Sequence, residues 1–475
     1  MPGQSANRRG AAARTGFPEE KQRGLAAPPM NPFDDFFSHL PEAIHADKIR
    51  KEWTSLAPVY DIERWQLPLP VWAKRPYEHN GLDAWKAARQ AAADSRSDQP
   101  MCIYIHIPFC TSKCGFCDSY SFKLGNHTDS RVKDYAERIC KELRLWSAQG
   151  GLTERPVTSV HLGGGTPTFL DTKSLERLAA CIRNAFNITN ETEWALESTV
   201  QSLTPSMTAC LHDLGFRRLH VGVQSLEAVT RAAIGRRQSP AEALECIVRH
   251  KVMGWVVSVD LVCGLPEQTM TGWLAGIQAL AECGTDGFSL YELLIYPQNR
   301  EWAKRHHLLE RSHLANYFLF QAGGNMLSAL GCRKNLFNHW ANDRDKNIYF
   351  THPIRGEDLL AVGTIADGVF GNYHYRHPRY AAYLRSTGGG LPGLEGGLFE
   401  NPLEQKNKPL VTAVLSNRIA PSLAAELNAR KMDGSSLLER WLAHALIESS
   451  GGGYQLTNNG AWLAGNMIGE ISSTP

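Results

Sequence analysis

The sequence has no uninterrupted apolar run long enough to span a bilayer and no apolar core near Met1 of the kind a secretion signal needs. It has almost no net charge: 50 Lys and Arg against 48 Asp and Glu leave +2 over 475 residues. A chain-wide basic field for nucleic acid is excluded, although a local patch is not. A disulfide framework is also missing. The 11 cysteines are odd in number. Of these, Cys102, Cys140, Cys181, Cys210, Cys246, Cys263, Cys283 and Cys332 stand singly in apolar or helical surroundings, where a cysteine reads as a small buried hydrophobe. The pattern points to a reducing compartment and a cytoplasmic protein with neither membrane nor nucleic acid as partner. What is present is ordinary for a globular chain, 43% hydrophobic and 21% charged, and too long for one core.

One stretch departs from the ordinary. Cys102–Ile107 reads as a short buried strand running into Pro108-Phe109-Cys110-Thr111-Ser112-Lys113-Cys114-Gly115-Phe116-Cys117. Cys110, Cys114 and Cys117 put three polarisable thiolates into one small volume, which suits a soft metal or an iron–sulfur cluster. A [4Fe–4S] cluster takes four protein ligands in its usual form, so three leave one iron open. A zinc knuckle completed by His106 is the structural alternative. It leaves the polar residues described below unexplained.

Residues 1–28, rich in Arg, Ala, Gly and Pro, read as a disordered tail, and 29–98 as an N-terminal extension with a helix over Asp83–Ala92. Within 99–300, strands are expected at Cys102–Ile107, Val157–Leu162, Glu193–Glu197, Arg218–Val223, Val256–Leu261 and Gly287–Tyr291. Helices are expected near Ser130–Gln149, Ser174–Phe186, Pro205–Leu214, Leu226–Ile234, Pro240–Met253 and Thr271–Cys283. Strand then helix, six times, predicts an α/β fold: a partial (β/α)6 TIM-like barrel with its site at the C-terminal strand ends. Residues 301–400 read as an irregular region shaping a substrate pocket. Residues 401–475 read as a helical, winged-helix-like module, closed by a strand at Tyr454–Thr457. Its Ser435–Ile447 segment is not basic, so packing rather than DNA is its expected role.

The strand ends carry polar groups. Gly163-Gly164-Gly165-Thr166 follows the second strand, Glu197 closes the third, Gln224 follows the fourth, Asp260 ends the fifth, and Tyr291 with Glu292 ends the sixth. Alone, each is unremarkable. Together, around three thiolates, they form a constellation. Arg236 offers a carboxylate fork, or is simply a solvated helix-end arginine. The set asks for a ligand with an ammonium, a carboxylate, a ribose and a base beside an open iron, and S-adenosylmethionine (SAM) fits.

The cysteine loop resembles the radical SAM signature. Tyr104–Cys110, Leu162–Thr168, Gly222–Ser225 and Asp260–Thr269 resemble the oxygen-independent coproporphyrinogen III oxidase (HemN-like) family. The resemblance implies a [4Fe–4S] cluster on Cys110, Cys114 and Cys117. It implies SAM beside Tyr104 and Phe116, with Gly164 and Thr166 at its amino-acid end, and Glu197, Gln224, Arg236 and Asp260 on its polar groups. It further implies a second SAM and a reductant such as flavodoxin or ferredoxin. Ser119 stands where coproporphyrinogen oxidases carry a further cysteine. Arg344–Phe350 lacks the His of the His-Asn-x-x-Tyr-Trp motif of the haem-chaperone branch. Both departures point to the class C radical SAM methyltransferase branch, which transfers a methyl or methylene carbon to an sp² carbon of an aromatic or heteroaromatic substrate by methylation or cyclopropanation. Two alternatives stay open. One is tetrapyrrole chemistry, as a coproporphyrinogen dehydrogenase or in anaerobic haem degradation; the other is haem binding without turnover. For these, His339, His352, His374 and His377 are candidate contacts to propionates or iron. Tyr291, Tyr296, Trp302, His339 and Trp340 either stack on a flat substrate or serve as core aromatics.

Overall fold

The computed structural model describes residues 44–474 apart from 64, 69–70, 118, 149–150 and 311–313, within one unit, Leu40–Pro475. The expected tail 1–28 and the start of the extension lie outside the described residues.

The strands expected from apolar runs are present and slightly longer: β1 (Met101–Ile107), β2 (Val157–Gly164), β3 (Glu193–Ser198), β4 (Arg218–Gln224), β5 (Val256–Cys263) and β6 (Gly287–Glu292). They pair in parallel in that order. The crossover helices start where a side chain accepts an early backbone N–H. Asp129 caps α1 (Ser130–Ser147), Asp171 caps α2 (Thr172–Ala185) and Thr204 caps α3 (Pro205–Asp213). Ser239 forms a capping box with Glu242 on α4 (Pro240–Val252), and Thr269 caps α5 (Met270–Glu282). The stretch expected as a helix over Leu226–Ile234 shortens to one turn and a half, Ala228–Ala233.

Residues 301–400 are less irregular than expected. Asp358-Leu359-Leu360-Ala361-Val362 forms a further parallel strand, β7, on the other side of β1. Antiparallel strands at Asp367–Phe370, Tyr373–Arg376, Gly396–Phe399 and His79–Asn80 extend that side, and His339–Ala341 with Arg333–Leu336 extend the β6 side. The result is a 13-stranded mixed sheet whose end strands do not pair among the described residues. The parallel part remains a partial barrel.

A one-turn helix, Ile348–Thr351, lies inside the curve of the sheet. The Tyr349 ring stacks 4.2 Å from His161 and 5.1 Å from Tyr104. The segment is anchored at the N-terminal strand ends: the Arg218 guanidinium pairs with Asp345 and donates to Asn347 Oδ1 at 3.0 Å, and His339 Nε2 lies 2.9 Å from Asp345. In the C-terminal module the helix within Ser435–Ile447 covers only Leu437–Ala443, with Leu437 and Trp441 fully buried, as packing requires. Its hairpin pairs Ile447–Ser450 with Gly453–Leu456.

Candidate active site

Pro108 ends β1, and Phe109–Cys110 then pairs with Phe122–Lys123. The Phe122 amide donates to Pro108 O at 2.8 Å and the Leu124 amide to Cys110 O at 3.1 Å, so both ends of the cysteine loop are clamped by backbone. A Cβ on Gly115 would stand 2.1 Å from the Trp302 indole, a clearance only glycine allows. Asn299 Nδ2 holds the Phe116 carbonyl at 3.0 Å. Cys110, Cys114 and Cys117 line one cavity of about 170 Å³ at the C-terminal strand ends. Burial pushes the Cys114 thiol up, against the pull of Arg236.

The same cavity is lined by Phe116, Gly164, Thr166, Glu197, Gln224, Arg236 and Asp260, so the residues singled out in the sequence converge. Thr166 Oγ1 donates to Cys110 Sγ at 3.5 Å. Gly164 has φ +109 and donates its amide to Glu197 Oε2 at 3.1 Å; a Cβ there would sit 2.6 Å from the His106 ring. The glycine turn is therefore a place where backbone, not side chain, faces the cavity. Gln224 Oε1 and Arg236 Nε are buried and find no hydrogen-bond partner among the described residues. Such atoms mark where a polar ligand belongs. Burial, then the neighbouring Glu197 carboxylate, raises Asp260 to about 7.

Tyr104 is the exception. It stacks on Tyr349, and its hydroxyl lies 3.1 Å from His106 Nδ1, behind Glu197 rather than in the cavity lining. His106 is likewise committed, with Nε2 3.2 Å from Tyr120 O, which removes it as a zinc ligand. Among the described residues no group of three His, Cys, Asp or Glu side chains is placed to hold a single metal ion. A cluster asks for something else, thiolates spread over separate irons around one space. The three thiols on one cavity, the glycine cradle and the orphaned amide and guanidine fit a [4Fe–4S] cluster with SAM.

A second cavity of about 390 Å³ opens from the first through shared Phe116, Glu197, His220, Gln224 and Asp260. Trp65, Leu67, Val262, Tyr291, Leu293 and Phe350 give it apolar walls, and Ser119 also faces it. Of the aromatic candidates, Tyr291 is therefore a wall residue. Trp302, His339 and Trp340 are core, 8%, 1% and 0% exposed. His352 bonds Tyr349 O, His374 bonds Glu400, and His377 forms a buried pair with Glu142 at 2.6 Å. None of these histidines lines either cavity. The sequence reading missed His220, Trp65 and Phe350. For His220 the signal was there: Arg218, His220, Gly222 and Gln224 alternate along β4 and share its inward face.

Residues 104–301 match the family model described as the Radical SAM superfamily. The chain is 28% identical over 321 residues to a haem chaperone, HemW, of Synechocystis sp., covering 64% of this chain and 76% of that one. It is 24% identical over 378 residues to an anaerobilin synthase of Escherichia coli O157:H7, covering 78% and 83%. In fold it is similar to coproporphyrinogen III oxidase (HemN) from Escherichia coli, with TM-score 0.73 and 20% identity over 88% of this chain and 98% of that one. The comparisons thus support a radical SAM region over residues 104–301 and a HemN-like fold over most of the chain, and the superfamily implies a [4Fe–4S] cluster and SAM. The methyltransferase branch expected from the sequence finds no support among these relatives, whose names point to tetrapyrroles. Among the described residues no helix is long and apolar enough to cross a membrane.

Proposed function

We propose that this chain is a radical SAM enzyme acting on a tetrapyrrole. The observation that carries the reading is the continuity of two unlike cavities. A polar one holds the thiols and the orphaned Gln224 and Arg236 atoms. An apolar one, walled by Trp65, Val262, Tyr291, Leu293 and Phe350, suits a flat macrocycle. The relatives' names, a haem chaperone and an anaerobilin synthase, support that substrate class.

In this reading Cys110, Cys114 and Cys117 hold the cluster, which with SAM supplies carbon-radical chemistry when bound. Arg236 takes the SAM carboxylate, Gln224 and Glu197 its amine and hydroxyl groups, and Asp260 a further donor. Phe116 separates the two spaces. Trp65 and Leu293 keep water from the substrate side, where Ser119 sits with its hydroxyl donating to Gly164 O at 3.1 Å.

The test is anaerobic turnover of the reconstituted protein with haem or coproporphyrinogen III and methyl-deuterated SAM. Formation of 5′-deoxyadenosine that depends on the tetrapyrrole, with the macrocycle altered, supports the reading. Deuterium in the product would restore carbon transfer. Tight haem binding without SAM cleavage would make the chain a haem carrier, and cleavage indifferent to every tetrapyrrole would refute the substrate class.

A further inference from the structure

On the outer surface, away from both cavities, α1 and α2 bring Cys140 and Cys181 together in an open cleft also lined by Glu137, Arg144 and Arg177. Cys181 Sγ lies 3.5 Å from the Cys140 carbonyl, and Arg144 Nη1 donates to Cys181 Sγ at 3.9 Å. The second arginine is committed: Arg177 Nη1 pairs with Glu137 at 2.8 Å. Arg144 is thus the cation left to the sulfur. The two cysteines differ in access. Cys140 is 3% exposed at the floor of the cleft, whereas Cys181 is partly exposed at it.

We infer that Cys140 and Cys181 form a thiol–disulfide exchange site, with Cys181 as the attacking sulfur and Cys140 as the resolving one, for low-molecular-weight disulfides. The chemistry follows from position. The Cys181 thiolate attacks one sulfur of an external disulfide RSSR and releases RS⁻, leaving a mixed disulfide on Cys181. The Cys140 thiol then loses its proton and attacks the Cys181 sulfur, expelling the second RS⁻. Two thiols are oxidised, one disulfide is reduced to two RSH, and the two protons pass to the leaving thiolates. The electrostatics agree. The hydrogen bond from the Cys140 thiol, then the Arg144 guanidinium, lowers Cys181 to about 7, and the same contact with burial pushes Cys140 up. The groups facing the pair are Glu137, Arg144 and Arg177.

The bond would staple α1 to α2 outside β1 and β2. Helix α1 also carries Tyr135, whose hydroxyl donates to His106 O at 2.7 Å and accepts the Thr364 amide at 2.9 Å. The staple therefore acts on the helix that braces the strand leading to the cysteine loop.

The experiment uses the reconstituted holoprotein, anaerobic, with oxidised glutathione, followed by alkylation and peptide mapping. The expected result is a linked peptide pair containing Cys140 and Cys181, with Cys210, Cys283 and Cys332 still alkylated and iron content unchanged. In C140S the glutathione adduct should persist on Cys181, and R144A should slow the wild-type reaction severalfold at pH 7. A Cys181 that reacts no faster than Cys210, or that keeps its glutathione in the wild-type protein, overturns the inference.

Discussion

Asp260→Asn separates what the site costs from what it does. Asp260 ends the run of inward polar residues on β5 and its carboxyl stands at about 7 rather than 3.8. Ionising it in the empty protein is unfavourable by about 4 kcal/mol at ~1.36 kcal/mol per pH unit. Both cavities open to water, and that screening brings the expected figure down to about 1–2 kcal/mol. The direction is fixed by linkage. Between the usual carboxyl pKa and about 7 the folded chain holds the proton more tightly than the unfolded chain. Stability therefore falls as pH rises through that window, and the full cost is present above it. The amide that replaces the carboxyl in D260N cannot ionise. Thermal unfolding of the cluster-free protein should show D260N level with wild type near pH 4 and more stable at pH 8. In the reconstituted protein SAM should raise the wild-type transition at pH 8 by more than that of D260N. A variant less stable than wild type at pH 8 would refute the reasoning, because the carboxylate would then be supporting the empty fold.

Three further outcomes follow from the same geometry. Gly115→Val drives a side chain into the Trp302 indole; overpacking of about 1–3 kcal/mol should displace the loop, so that iron per chain falls sharply while the unfolding temperature moves little, and Trp302→Ala in the same chain should restore iron. Glu142→Gln leaves the buried His377 imidazolium without its carboxylate and weakens the bonds to Trp146 and Tyr383; the loss should be about 3 kcal/mol. Burial opposes the His377 charge but Glu142 outweighs it and raises its pKa, so the gap between variant and wild type in a pH series of melts should be widest at acid pH and close as pH rises through the folded value. Phe350→Ala removes an apolar wall beside His220; a loss of about 1–2 kcal/mol should raise KM for the proposed tetrapyrrole substrate roughly tenfold and increase 5′-deoxyadenosine formed per product.

The parallel strands were legible because each is buried on both faces and reads as an apolar run between helix caps such as Asp129 and Ser239. The cavity residues were legible because they sit at strand ends, where the chain must leave the sheet. The inward faces were not. Ser159, His161, Arg218, His220, Ser258 and Ser289 lie within strands, and a search confined to strand ends passes over them. β7 was missed for a different reason: Asp358–Val362 is five residues long and follows a turn-rich stretch, so only its pairing with β1 distinguishes it from loop. Phe350 and Trp65 come from segments far apart in sequence, and no local pattern says that they wall the same space.

The place of β1 between β2 and β7 bears on how the protein matures. Both edges of this strand are hydrogen-bonded within the polypeptide, and the loop it launches is closed by Phe109–Cys110 against Phe122–Lys123. The backbone bonds that frame the cysteine loop therefore use none of its thiols, whereas a zinc finger folds only around its metal. On that basis the frame should form before iron and sulfide bind. A chain made under air should remain an intact acceptor, and a damaged centre should be replaceable without the polypeptide being remade.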